Sequence, residues 1–164
     1  MRGGVTGGAW RPAVGHRGRS AEVDAEPYEI ESWRWGGAML RGLLMDYGGV
    51  LTDGPELAAA VRRARAAGIA TALVSDAHEV PTAVAALFDA VVLGPALGVR
   101  KPDPEVFRRA AAQLGLTPAE CVVVDDHPAN LRGARAAGAV VVRHVDAATT
   151  VDELQVLFGL PGAP

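Results

Sequence analysis

The chain has one cysteine, Cys121, so it has no internal disulfide and fits a reducing compartment. No apolar run approaches the roughly 20 residues needed to span a bilayer. Near the N-terminus there is no uninterrupted apolar stretch of the kind that directs secretion. The expected location is therefore the cytoplasm, with no membrane partner. Charge of one sign is also missing: the formal net charge is -3, which gives no electrostatic case for binding nucleic acid. What is present is a 49% hydrophobic composition over 164 residues, enough for one domain with a real core.

The first part of the chain differs in character from the rest. Residues 1–20 are rich in glycine and arginine (Arg2, Arg11, Arg17, Arg19), and residues 22–31 turn acidic (Glu22, Asp24, Glu26, Glu29, Glu31). Residues 1–38 read as a flexible, solvated extension and residues 39–164 as the folded unit. Trp33 and Trp35 have the spacing that puts two side chains on one face of an extended strand, where they would pin the extension to the domain.

From Gly42 onward, short apolar strands alternate with helices, the pattern of an α/β parallel sheet with crossover helices. The expected strands are Leu43–Met45, Ile69–Val74, Ala90–Leu93, Cys121–Val124 and Ala139–Val142. A helix opens at Asp53-Gly54-Pro55 and stops before Gly68, and a short one covers Pro81–Phe88. A glycine-containing loop then leads to Arg100-Lys101-Pro102-Asp103-Pro104, where the prolines forbid regular structure around Lys101 and pre-set a helix from Glu105 to Leu114. Thr117 to Glu120 has a capping-box pattern for one turn. A helix over Ala129–Ala137 ends at Gly138, and Thr150 to Glu153 is expected to cap a last helix with Leu154, Leu157 and Phe158 inward. Phe88, Phe107 and Cys121 read as core, and Arg108 and Arg109 as a solvated helix face.

Polar residues recur at the strand ends. Asp46 follows the first strand and is trailed by Gly48 and Gly49, Ser75-Asp76 follows the second, and Asp125-Asp126 follows the fourth; Lys101 lies a few residues beyond the third. In a parallel sheet all of these lie along one edge, where the ligand crevice sits. Asp46 and Asp126 can hold a magnesium ion through oxygen ligands. Ser75 and Lys101 can hold phosphate oxygens, and Asp46 can attack phosphorus as a carboxylate nucleophile.

Asp46 to Asp53, Ser75, Lys101 in Lys-Pro-Asp-Pro, and Val124-Asp125-Asp126-His127-Pro128-Ala129-Asn130 with Gly133-Ala134 resemble, in order, the four motifs of the haloacid dehalogenase-like hydrolases. The resemblance covers residues 42–158. It implies a three-layer, Rossmann-like, doubly wound sheet in the order 5-4-1-2-3. It also implies Asp46 as nucleophile, Ser75 and Lys101 as phosphate ligands beside Asp76, and Mg2+ held by Asp46, the Gly48 carbonyl and Asp126. Asn130 falls where many relatives have a second acid and would support the metal through water. Asp125, where others have glycine, is a supporting group or a minor ligand.

Two departures bear on activity. Relatives that act as phosphatases usually carry an acid/base aspartate two positions after the nucleophile, where this chain has Gly48. General acid–base help is worth about a hundred- to ten-thousand-fold, so turnover should be slow unless His78, His127 or the substrate supplies the proton. Asp76 stands where asparagine is common and adds negative charge. In addition, the intervals between motifs hold only one helix and one strand each, so no cap domain fits; the site would be closed by a partner subunit or a large substrate, or stay wet. The first expectation is a magnesium-dependent phosphatase acting on a phosphorylated small molecule or macromolecule. A catalytically weakened domain that binds a phospho-ligand or a protein is the alternative, and carbon–halogen hydrolysis a third reading opposed by the intact-looking metal site.

Overall fold

The computed structural model describes residues 34–35 and 38–161 of the chain. Two short strands, β1 (Arg34–Trp35) and β2 (Ala38–Met39), pair antiparallel. The rest of the proposed extension, residues 1–33 and 36–37, and with it Trp33, lies outside the described residues.

The domain proper runs β3 (Gly42–Met45), a 3-10 turn (Leu51–Asp53), α1 (Pro55–Ala66), β4 (Ala70–Ser75), α2 (Thr82–Ala85), β5 (Ala90–Leu93), α3 (Gly94–Leu97) and α4 (Pro104–Gln113). A second 3-10 turn (Pro118–Glu120) then leads into β6 (Cys121–Asp125), α5 (Pro128–Ala137), β7 (Val140–Arg143) and α6 (Ala147–Phe158). All five long strands are parallel, in the order β5-β4-β3-β6-β7. Read from the other edge this is the expected 5-4-1-2-3 order. Met45 lies level with Leu73 on one side and Val124 on the other, so the three strands that carry Asp46, Ser75 and Asp125 finish together.

Side chains alternate across the sheet, as the two-residue strand period requires. Leu43, Met45, Leu73, Val122, Val124 and Val142 face one way, onto Leu57, Ala60, Val61 and Ala64 of α1 and Leu154 of α6. Leu44, Ala72, Val74, Val92 and Val123 face the other way, onto Val106, Phe107 and Ala110 of α4 and Ala134 of α5. Strands covered on both faces must be apolar at successive positions, which is why they read as continuous runs. Among the described residues only α1 separates Asp46 from Ser75 apart from the 3-10 turn, and only α2, β5 and α3 separate Ser75 from Lys101, so no cap is present.

Three local expectations are corrected. The loop after β5 contains a helical turn, α3, begun by the Gly94-Pro95 pair. The helix expected over Pro81–Phe88 is confined to Thr82–Ala85. The last helix begins at Ala147, not at Thr150: Asp146 is its cap, accepting the Thr149 N–H at 2.8 Å, and Thr150 is fully buried inside it.

Cys121 is buried against Thr117 and Gly42, and burial, with the nearby Glu120 charge, pushes its thiol up to about 12. The thiol is neutral throughout the neutral range, hence a core residue rather than a nucleophile. Iodoacetamide at pH 8 should leave the folded protein unmodified and alkylate this position only after denaturation, as mass spectrometry would read.

Candidate active site

The site is built at the carboxyl ends of β3, β4 and β6. Asp46 is the first residue past β3, its N–H bonded to the Val124 carbonyl at 3.0 Å and its side chain 11% exposed. Its Oδ1 accepts the Tyr47 N–H at 2.7 Å and makes an ion pair with Lys101 Nζ at 2.7 Å. That leaves Oδ2 as the oxygen with capacity for phosphorus or a cation. The same ammonium donates to Asp125 Oδ2 at 2.8 Å, and both Lys101 and Asp125 are almost wholly buried, with side chains 4% and 1% exposed.

Charges out of water survive only when paired and fully bonded. Asp125 meets that condition: its oxygens also accept the His127 N–H at 2.8 Å and both bonds of the Asn130 amide, at 3.0 and 3.1 Å. Asn130 therefore reaches Asp125 directly. Burial raises the pKa of Asp46; the Lys101 charge and hydrogen bond offset part of that rise, and Asp125 adds to it. Burial alone would depress Lys101, but the charges of Asp46 and Asp125 and their hydrogen bonds outweigh it and hold Lys101 above the ordinary lysine range. The cation is therefore secure, and the Asp46 carboxylate is more basic than a solvated aspartate.

The neighbouring loops explain how Lys101 gets there. Asp76 Oδ1 accepts the Lys101 N–H at 3.2 Å, so this carboxylate, expected beside phosphate, is engaged with the lysine backbone. Ser75 Oγ accepts the Ala77 N–H at 3.1 Å, which leaves its hydroxyl proton free to donate. On the far side, the Pro102 carbonyl packs on Gly133 of α5, where an added β-carbon would collide with it. Gly133→Ala would normally favour a helix by up to about 1 kcal/mol. Here the obstacle is backbone, and overpacking costs about 1–3 kcal/mol. A lowered denaturation midpoint is therefore expected, together with impaired function, because Lys101 adjoins the displaced carbonyl.

The donor set fits a hard divalent cation. Asp46, Asp125 and Asp126 each offer a ligand oxygen within 4.8 Å of the others. Against one ammonium, three ionised carboxylates leave two negative charges, and all-oxygen ligation suits magnesium. Gly49 has φ +77°, a conformation that favours glycine, and a β-carbon there would lie 2.5 Å from Asp126 Oδ2 and push that exposed carboxylate aside. Gly48 meets neither constraint.

His127 is the N-cap of α5, its Nδ1 accepting the Ala129 N–H at 3.3 Å, and His78 is solvent-exposed on the loop after β4. Tyr47 lines an open cleft of about 470 Å³ with Glu79, Val80, Pro81 and Thr82, beside the turn that follows Asp46. An apolar groove of the same volume along β7 and α6 is lined by Val140, Val141 and Val156 and includes none of these site residues. Two features of this region were not read from the sequence: the full engagement of Asp125 with Lys101, and a buried histidine, His144, tied to Asp53. The first had a signal, since Asp125 ends an unbroken apolar strand; the second had none.

Comparison with known proteins places the arrangement in context. The chain is 34% identical to an uncharacterized protein from Corynebacterium glutamicum whose crystal structure it matches with a TM-score of 0.70, over 76% of this chain and 99% of that one. It is 36% identical over 92 residues to the phosphoserine phosphatase of Thermus thermophilus, covering 51% of this chain and 37% of that protein. With the protein CbbY of Rhodobacter capsulatus the identity is 36% over 98 residues, 54% of this chain and 43% of that protein. The chain thus spans less than half the length of these two curated relatives. The family model for haloacid dehalogenase-like hydrolases matches residues 49–138, more than half of the chain. With the strand order, the lysine bridge and the carboxylate cluster at one sheet edge, that match makes this chain a member of the haloacid dehalogenase-like hydrolase family.

Proposed function

We propose that the chain is a cap-less, magnesium-dependent phosphatase that hydrolyses a phosphate monoester through an aspartyl-phosphate on Asp46. One observation carries the reading: a buried lysine bridges Asp46 and Asp125 where a third carboxylate, Asp126, stands within ligand distance. The phosphatase name of one relative supports it.

Asp46 and Asp126, with the Gly48 carbonyl, would hold Mg2+, which when bound neutralises phosphoryl charge as a Lewis acid, and Asp125 supports the site through its bonds to Lys101 and Asn130. Lys101 and the Ser75 hydroxyl bind and orient the phosphoryl oxygens. Asp46 attacks phosphorus, the bond to the ester oxygen breaks, and the leaving oxygen takes a proton from solvent because Gly48 has none to give. Water then attacks the phosphorus of the acyl-phosphate, the bond to Asp46 breaks, and inorganic phosphate and the free carboxylate are restored.

The test is phosphate release from a panel of small and macromolecular phosphate esters with and without Mg2+. Chelation should lower release by about a hundredfold or more, the several kcal/mol of charge stabilisation that a Lewis acid supplies. Gly48 also favours a second reading, a domain that binds phospho-ligands without turning them over. Magnesium-dependent binding of inorganic phosphate with no release from any ester would establish that reading and remove the first.

A further inference from the structure

We infer that His144 is a positioning residue that holds the nucleophile turn and the metal-side turn in register. The inference rests on the phosphatase reading for its catalytic consequence and on geometry alone for the restraint itself. His144 is the first residue past β7 and is 5% exposed. Its N–H donates to the carbonyl of Asp125, the last residue of β6, at 3.0 Å. Its ring reaches two further elements: Nε2 lies 3.1 Å from Asp53 Oδ2, and Nδ1 lies 2.8 Å from Oγ1 of the buried Thr150 of α6. An ionised carboxylate only accepts, so Nε2 carries the proton of the bond to Asp53.

Asp53 closes the turn that starts at the nucleophile. Within it, Thr52 N–H bonds to the Tyr47 carbonyl at 3.3 Å, Gly49 N–H to Thr52 Oγ1 at 3.0 Å, and Asp53 N–H to the Val50 carbonyl at 2.9 Å. These are local bonds, and two glycines keep the turn deformable. The described contacts of the Asp53 side chain tie the turn to His144, whose own backbone is fixed to the strand that delivers Asp125. This side chain thus adds, to the β3–β6 pairing and the core packing of Val50 and Leu51, a direct restraint between the far end of the turn that follows Asp46 and the strand end that precedes Asp126. Misplacement on the scale of 1 Å in such a constellation costs on the order of a hundredfold in rate.

The experiment compares hydrogen exchange and kinetics of the full chain with those of its His144→Ala, His144→Gln, His144→Asn and Asp53→Ala variants. The glutamine amide reaches the place of Nε2 and the asparagine amide that of Nδ1. Faster exchange at residues 47–53 is expected in the alanine and asparagine variants, with β4 and α4 unchanged, and restoration by glutamine. The rate kcat should fall about tenfold or more with KM little changed. Asp53 is half exposed, so Asp53→Ala breaks the same bond in a protein that still folds should His144→Ala fail to. Unchanged exchange at 47–53 in Asp53→Ala, or equal rescue by asparagine and glutamine, overturns the inference. A wild-type protein that releases no phosphate would remove the phosphatase reading, while the exchange data would still decide the restraint.

Discussion

Asp46→Asn is expected to abolish phosphate release, a loss on the order of a thousandfold or more, while the protein stays folded. The amide has nearly the shape of the carboxylate but cannot act as an oxyanion nucleophile, and losing a covalent nucleophile removes the whole two-step route. Structural cost is limited by the surroundings. The Asp46 backbone keeps its bond to Val124, and the side-chain carbonyl can still accept from Tyr47. Lys101 keeps Asp125 as its partner at 2.8 Å, so no buried cation is orphaned. Burial already disfavours the Asp46 charge, as its raised pKa reflects, so neutralising it also relieves a desolvation cost. Lys101→Met is the contrasting variant, because it would leave two buried carboxylates facing each other without a cation. Circular dichroism and thermal melting would establish that Asp46→Asn is native. Release equal to that of the wild type would mean that water, not this carboxylate, attacks phosphorus.

Much of this site could be read along the chain because each element announces itself locally. Asp46, Ser75 and Asp125 each end an apolar run, and parallel strands joined by short crossovers must finish on the same edge. What escaped reading was set by pairing between distant segments. The bond between His144 and Asp53 joins residues 91 positions apart. Nothing in Arg143-His144-Val145 distinguishes a buried ring from a surface one. The start of α6 is hidden for a different reason: Thr150-Val151-Asp152-Glu153 carries the capping-box pattern, whereas the true cap, Asp146, holds only the N–H and hydroxyl of Thr149. Burial overrides the pattern, since a fully buried hydroxyl at Thr150 is occupied by His144 and cannot cap. The resemblance marks Asp125 as a supporting group or a minor ligand, and the apolar run before it does not show how completely Lys101, His127 and Asn130 enclose its carboxylate.

Gly48→Asp should raise kcat, on the order of a hundredfold, by installing the proton donor that the turn lacks. The two glycines of this turn differ in what they tolerate. At Gly49 a side chain would sit at φ +77° and press on Asp126, so it must stay glycine. At Gly48 nothing lies within 4 Å of an added β-carbon and φ is not positive, so aspartate enters without strain or collision. The gain has a cost in binding: a further carboxylate joins Asp46, Asp125 and Asp126 beside a dianionic substrate, so KM should rise as kcat rises. Gly48→Asn supplies the control, since it fills the same space without a transferable proton and should leave kcat at the wild-type level. If aspartate gives no gain over asparagine, protonation of the leaving oxygen does not limit turnover. His127 caps α5 through an accepting Nδ1, so in the neutral ring Nε2 carries the proton and is the one ring nitrogen left to donate. A series of aryl phosphates of graded leaving-group acidity reads the same point: a kcat that climbs steeply with leaving-group acidity in the wild type and flattens in Gly48→Asp would show that the leaving oxygen departs without an enzymic proton until the aspartate supplies one.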